Sequence, residues 1–253
     1  MPTTGPFGVK TLTIRTILLA GLMLTAAVPA LAQEGAAPDR AAIEEVVRDL
    51  LRREPELVME ALQALQAKRE SEEAAQAKMA VSSNAEALKG TPAEVVANPE
   101  GDVTLVEFMD YNCGYCRRMT PTLRDLVEQD KGVRFVLKEF PILGPESVVA
   151  ARAAVAARNQ DRYWDMHLAL MESEDISMEG VRVIAQQLGL DMAKLEADMN
   201  APETDQVLAE DMQLARELGL RGTPAFVLGG EIIPGAVPPE QLQDMIGAVR
   251  ERS

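Results

Sequence analysis

The sequence predicts an α/β fold: a sheet interrupted by a helical insertion and preceded by a helical arm. Three observations predict it. Short runs rich in β-branched and apolar residues begin at Val103 (VTLVEF), Val133 (VRFVLKEF) and Pro224 (PAFVLGGEIIPG). The long stretch between the second and third, Ser147 to Leu218, is helical in pattern, as is everything from Asp39 to about Leu88. The order is therefore strand, helix, strand, several helices, hairpin, helix, which suits a sheet with helices inserted into it. A chain that is 47% hydrophobic and only 4% aromatic fits a globular, largely helical body. Its formal net charge of −15 excludes nucleic acid as a partner and favours solubility.

The N-terminus carries Lys10 and Arg15, the apolar run TILLAGLMLTAAV, Pro29 and the small residues Ala30 and Ala32. That pattern is a secretory signal peptide over residues 1–32, cleaved after Ala32, because the run is shorter than the roughly 20 residues a membrane span requires. No cysteine stands at the end of the run to take a lipid. The expected mature protein is soluble and exported.

Residues 33–90 form the helical arm and its linker. Ile43, Val46, Val47, Leu50 and Leu51 make one apolar stripe; Leu57, Val58, Ala61, Leu62 and Leu65 make another. The two helices meet at Pro55, since proline suits the first turn of a new helix, where its missing N–H has no partner to lose. Amphipathic helices gain most of their stability from burial. The stripes thus need either a second copy of the chain, meeting it through residues 39–70, or the domain that follows. The charged, alanine-rich run beyond Leu65 suits a solvated helix.

In the sheet-bearing part, residues 91–140 and 220–253, helices are expected from Gly114 to about Gln129 and from Gln241 to Arg250. The hairpin turns at Gly229 and Gly230. Residues 141–219 are the inserted helical domain.

Both cysteines of the chain lie in VEFMDYNCGYCRRMTP, two residues apart. Cys113 follows a strand and opens a helix, so its sulfur faces unpaired N–H groups and the positive end of the helix dipole. A thiolate is stabilised there, which makes Cys113 the nucleophile and Cys116, one turn deeper, the resolving thiol. Residues three apart on a helical turn are close enough to bridge. A bridge closing so small a loop adds little stability, so a purely structural staple is a poor reading. Tetrahedral zinc needs four ligands, and the chain offers no third cysteine and a single histidine, His167. Two thiolates can still hold Cu(I), and a copper-binding protein remains the alternative to a redox enzyme.

EFMDYNCGYCRRMTP, VRFVLKEFPILGPES, RYWDMHLALM and GLRGTPAFVLGG together resemble DsbA-type thiol:disulfide oxidoreductases, in which a thioredoxin fold carries an inserted helical domain. The resemblance covers roughly residues 95–250. Within that family the arm segment EPELVMEALQAL is similar to the suppressor-of-copper-sensitivity protein C (ScsC) group, and this implies trimerisation through the arm. It also implies that Thr223-Pro224 is a cis bond facing the cysteines. Gly222, Thr223 and Pro224 would then offer backbone groups to an extended substrate without reading its sequence.

Glu107 stands between apolar neighbours on both faces of its strand. A carboxylate buried there has a raised pKa and suits a proton acceptor for Cys116. Lys138, in the similar context VLKEF, is its expected partner in proton transfer; the other reading leaves both charges in solvent at a strand edge. His167 and Met166, Met171, Met178, Met192, Met199 and Met212 read as packing residues.

The dipeptide Gly114-Tyr115 between the cysteines, and the threonine before Pro224, resemble the DsbC-type isomerases rather than the strongly oxidising enzymes. An isomerase must be kept reduced. The resemblance therefore implies a periplasmic isomerase or reductase acting on unfolded or misoxidised exported proteins, with no bound cofactor or metal. A membrane thiol reductase of the DsbD or ScsB kind is the implied electron donor. A dithiol oxidase is the further alternative.

Overall fold

The structure, a computed structural model, describes residues 39–252; the leader expected at residues 1–32 lies outside them. The described residues divide into two compact units, one ending at Met59 and the other starting at Glu60.

In the first unit, α1 (Arg40–Arg53) starts at Asp39, whose carboxylate accepts the Ala41 N–H at 3.2 Å, and ends in Arg52 and Arg53, which complement the negative end of its dipole. The chain breaks at Glu54-Pro55 and restarts as α2 (Glu56–Ser83), as the proline predicts. No residue of α1 is buried, and Ile43, Val46, Val47 and Leu51 stand exposed.

The second unit takes in the rest of α2 and then α3 (Ala85–Lys89), β1 (Val95–Ala97), β2 (Val103–Met109), α4 (Gly114–Gln129) and β3 (Val133–Glu139). The insertion follows as α5 (Pro145–Ala157), a 3₁₀ turn at Arg158–Gln160, α6 (Tyr163–Glu172), α7 (Met178–Gln187), α8 (Met192–Met199) and α9 (Pro202–Glu217). The chain then returns to the sheet with β4 (Ala225–Leu228), β5 (Glu231–Pro234) and α10 (Pro239–Arg250). The five strands lie in the order β1-β3-β2-β4-β5. Only β2 and β3 run parallel; every other pairing is antiparallel.

The central strands are buried on both faces, which is why VTLVEFM and VRFVLKE read as continuous apolar runs rather than as alternation. Leu105, Met109, Phe135, Leu137 and Phe226 face one core, shared with α4 and the insertion. Val106, Phe108, Val136, Ala225 and Val227 face the other, against Leu214 and Leu218 of the α9 end and against Val81 and Leu88. Helix α5 is the hub of the insertion, packed against α6 to α9; six of its alanines are fully buried and let those helices approach closely. Met166, Met171 and Met199 are buried packing residues, as expected.

Gly229 and Gly230 both have positive φ, 56° and 86°, the requirement of a tight hairpin turn. A Cβ on Gly229 would also meet Val249 Cγ2 at 2.4 Å. Strand β1 was not expected. It is three half-buried residues at a sheet edge, too short for alternation to register.

Candidate active site

Strand β2 ends at Met109, and a four-residue turn leads into α4, so the fold delivers Cys113 to the helix N-terminus. Cys113 is the N-cap: its Sγ accepts the Cys116 N–H at 3.4 Å. Its thiol in turn donates to the Thr223 carbonyl at 3.2 Å, and the Thr223-Pro224 bond is cis. The loop before β4 and the cysteine turn are thus in contact, with Gly222 exposed beside them. Cys113 is only 5% exposed because this loop covers it, so the contrast with Cys116, at 0%, is smaller than a bare helix terminus suggests. Both thiols are free. Tyr115, between them, projects into solvent with the Arg118 guanidinium 4.3 Å from its ring centre.

Beneath the cysteines lies Glu107, wholly buried. Burial, then the charge of the Cys113 thiolate, then that of Glu139 push its pKa up from 4.5 to about 8. Burial, and after it the Glu107 charge, push the Cys116 thiol well above its ordinary range. Each charge thus disfavours ionisation of the other, so the two groups do not carry charge together.

The expected pairing of Glu107 with Lys138 does not form. In the parallel register Glu107 lies beside Leu137, and Lys138 lies beside Phe108, so the two side chains leave the sheet on opposite faces. Lys138 instead bridges Glu94 (2.8 Å) and Asp211 (3.0 Å), both buried. Nor does either charge sit in solvent at a strand edge.

Two features of the site were not singled out from the sequence. Asp110, inside the quoted motif, is buried, and its carboxylate accepts four hydrogen bonds: from Asn112 N and Ser147 Oγ at Oδ1, and from Ile142 N and Leu143 N at Oδ2. Its carbonyl accepts the Cys113 N–H, so a single residue ties the cysteine turn to the loop before α5. Second, Glu139 accepts from Tyr111 (3.1 Å) and Tyr163 (2.9 Å), while Tyr111 also meets His167 Nδ1 at 3.3 Å. His167 stacks on Trp164, ring centres 5.1 Å apart, which is the packing its spacing predicts. Burial pulls its pKa down to about 3, so it is neutral at physiological pH. An acid adjoining Cys113 by three residues was legible as a candidate; a cluster assembled from β3, α6 and the turn at Tyr111 was not.

The Thr223 hydroxyl is buried with no partner in the free protein. An unsatisfied buried group costs about 1–3 kcal/mol, so Thr223→Val is expected to raise stability by about 1 kcal/mol in urea denaturation. If the hydroxyl serves a bound client, the same variant binds clients more weakly. Lower stability in the variant would show that the hydroxyl already has a partner.

Comparison with known proteins agrees with this geometry. Residues 104–247 match the DSBA-like thioredoxin domain family, and residues 39–72 match the copper resistance protein ScsC N-terminal domain. A thioredoxin-like oxidoreductase from Silicibacter pomeroyi DSS-3 is 47% identical, with TM-score 0.63, over 66% of this chain and 97% of its own. Proteus mirabilis ScsC in a transitional conformation is 30% identical, with TM-score 0.64, over 86% of this chain and 98% of its own. A probable thiol:disulfide interchange protein DsbC from Bordetella pertussis is 30% identical over 57% of this chain. The chain spans 42% of that relative and 21% of the Na⁺/H⁺ antiporter NhaA 3 of Salinispora tropica, another curated sequence it matches. Among the described residues no helix is long and apolar enough to cross a membrane. By the domain match over more than half its length, the chain belongs to the DsbA-like thioredoxin-domain family, with an arm of the ScsC N-terminal type.

Proposed function

We propose that the protein is a periplasmic thiol:disulfide interchange protein that isomerises or reduces wrong disulfides in exported proteins through Cys113 and Cys116. The observation that carries this reading is Cys113 at the α4 N-terminus, bonded to the Thr223 carbonyl, with Cys116 and Glu107 buried behind it.

The Cys113 thiolate attacks one sulfur of a client disulfide. The client S–S bond breaks, a Cys113–client bond forms, and the other client sulfur leaves as a thiolate that takes a proton from solvent. In isomerisation a second client thiolate then attacks the mixed disulfide and frees Cys113 with no net transfer of electrons. In reduction Cys116 attacks the Cys113 sulfur as Glu107 accepts its proton; the client leaves reduced by two electrons, and the pair is left oxidised. Restoring the dithiol needs an external donor, for which a membrane thiol reductase is the fitting partner. The chemistry needs no bound cofactor. The leader read at residues 1–32 supports export to the periplasm.

The exposed apolar faces of α1 and early α2, which include Ile43, Val46, Val58 and Leu62, support assembly of the arm into a homotrimer. Assembly places several Cys113 thiolates around one client and raises their effective concentration there. Deletion of residues 33–69, which leaves Val81 and Leu88 in the core, is expected to give a monomer by light scattering that keeps thiol exchange and loses most isomerase activity. A full-length monomer at micromolar concentration rules the assembly out.

The test of the chemistry is refolding of a scrambled disulfide substrate with all copper chelated. Cys113→Ser is expected to abolish catalysis, and Cys116→Ser to accumulate client mixed disulfides on Cys113. Catalysis that survives Cys113→Ser, or that needs copper, overturns the proposal.

A further inference from the structure

Beside the cis-proline loop is an open groove of about 860 Å³ whose second wall is the arm helix α2. Glu70, Glu73, Ala74, Gln76, Ala77 and Ala80 line it from α2; Glu217, Arg221, Gly222, Thr223 and Pro224 line it from the other side, and Ile232 and Pro234 of the edge strand β5 close it. The groove adjoins the reactive sulfur through Thr223, which both lines it and accepts the Cys113 thiol. Its approach is open, since a Cβ added to Gly222 would meet nothing within 4 Å.

We infer that this groove is a specificity-determining part of the client-binding surface and takes an extended polypeptide segment bearing lysine or arginine. The inference rests on the proposed function and adds the client's charge and the path of its chain. Length fits: from Glu70 to Ala80 a helix rises roughly 15 Å, the span of four or five extended residues. Surface chemistry fits as well. Ala74, Ala77 and Ala80 give a smooth, small-residue wall along which a backbone can lie, and three glutamates against one arginine leave the lining net acidic. None of those charges is spent elsewhere: among the described residues, no ion pair uses Glu70, Glu73, Glu217 or Arg221. Among the described residues, the only side-chain hydrogen bonds to Glu70 and Glu217 come from the neutral amides of Gln66 and Gln213. A client segment with a cationic side chain a few residues from its cysteine meets this unneutralised charge, whereas an acidic segment is repelled. The arm thus takes part in recognition as well as in assembly.

The test uses the full-length Cys116→Ser protein and two peptides that share a cysteine activated as the 2-thiopyridyl disulfide. One peptide carries lysines and the other glutamates at the positions following the cysteine. Attack by Cys113 breaks the activated S–S bond, forms the Cys113–peptide disulfide and releases pyridine-2-thione, whose absorbance gives the rate. The lysine peptide is expected to be captured roughly threefold to tenfold faster, as befits partly exposed charges, with the ratio collapsing toward unity in about 0.5 M salt. Glu70→Lys/Glu73→Lys is expected to abolish or invert the ratio. Glu128→Lys/Glu174→Lys, which changes net charge equally at exposed positions outside the groove, is expected to leave most of it. Equal rates for the two peptides, or equal effects of the two double variants, overturn the inference. Capture of 2,2′-dithiodipyridine, which has no peptide, is measured alongside: its failure counts against the thiol chemistry itself, whereas its success without a charge preference counts against the groove alone.

Discussion

Glu107→Gln is expected to stabilise the protein at alkaline pH and to slow it as a catalyst. The folded pKa of Glu107 is raised from 4.5 to about 8, chiefly by burial, so the folded chain holds a proton that the unfolded chain releases between those values. Stability therefore falls as pH rises from about 4.5 to about 8 and is flat on either side. A shift of that size amounts to roughly 5 kcal/mol, the full cost of ionising the buried carboxyl above pH 8. Glutamine never ionises, so the variant and the natural protein should be nearly equal below about pH 4 and differ by roughly 5 kcal/mol above about pH 8. The same carboxyl is the proton acceptor for Cys116. When Cys113 enters a mixed disulfide its negative charge disappears, one of the causes that raise the Glu107 pKa is removed, and the carboxylate becomes available when Cys116 must lose its proton. Losing a general base costs about 10²-fold or more, so the resolving step should slow by about that factor and lose its pH inflection. Urea denaturation across pH gives the first quantity; release of a small thiol from its mixed disulfide with Cys113, followed in a single turnover, gives the second. An unchanged pH profile in both would sink the role assigned to Glu107.

What was legible in the sequence was local. The break at Pro55, the bounds of α4, the hairpin at Gly229-Gly230 and the two cysteines at a strand-to-helix junction all depend on residues within a turn or two of one another. The arm's exposed stripes were equally plain, because a 3.6-residue period needs no knowledge of what covers it. Failures came where a contact depends on register or on distant chain. Both Glu107 and Lys138 sit in apolar runs, and sequence alone gives no offset between β2 and β3; an offset of one residue decides whether two side chains share a face. Asp110 gave the converse problem. Its four hydrogen-bond donors come partly from residues 142–147, over thirty positions away, so its role as a tie between two loops has no periodic trace.

The displaced lysine supplies the second large effect. Lys138→Met should cost about 3–5 kcal/mol at neutral pH, because it leaves two buried carboxylates without the cation that holds them. In the natural protein burial pushes Glu94 up, but the Lys138 hydrogen bond and charge outweigh it and hold the carboxyl below its usual range. That contribution is present above about pH 4.5 and is lost as pH falls through the lowered pKa. Asp211 is pushed up to about 6, by burial first, with Lys138 opposing, so ionising it already costs stability as pH rises from 3.8 to about 6. Without the lysine both carboxyls move upward and are protonated in the folded chain. The gap between variant and natural protein should therefore be small near pH 4.5 and widest near pH 8, where neither acid can shed its charge cheaply. A loss of this size is a large part of a domain's usual 5–15 kcal/mol, so the variant should be measured at low temperature, where the folded form persists. Adding Asp211→Asn is expected to return part of the loss, since the amide oxygen can still accept the Glu139 N–H while the second charge is gone. Because Lys138 leaves the sheet on the face away from Glu107, folded Lys138→Met should react with 2,2′-dithiodipyridine at the natural rate. A folded variant with slowed Cys113 chemistry and no pH-dependent loss of stability would return Lys138 to the proton-transfer role that its sequence context suggests.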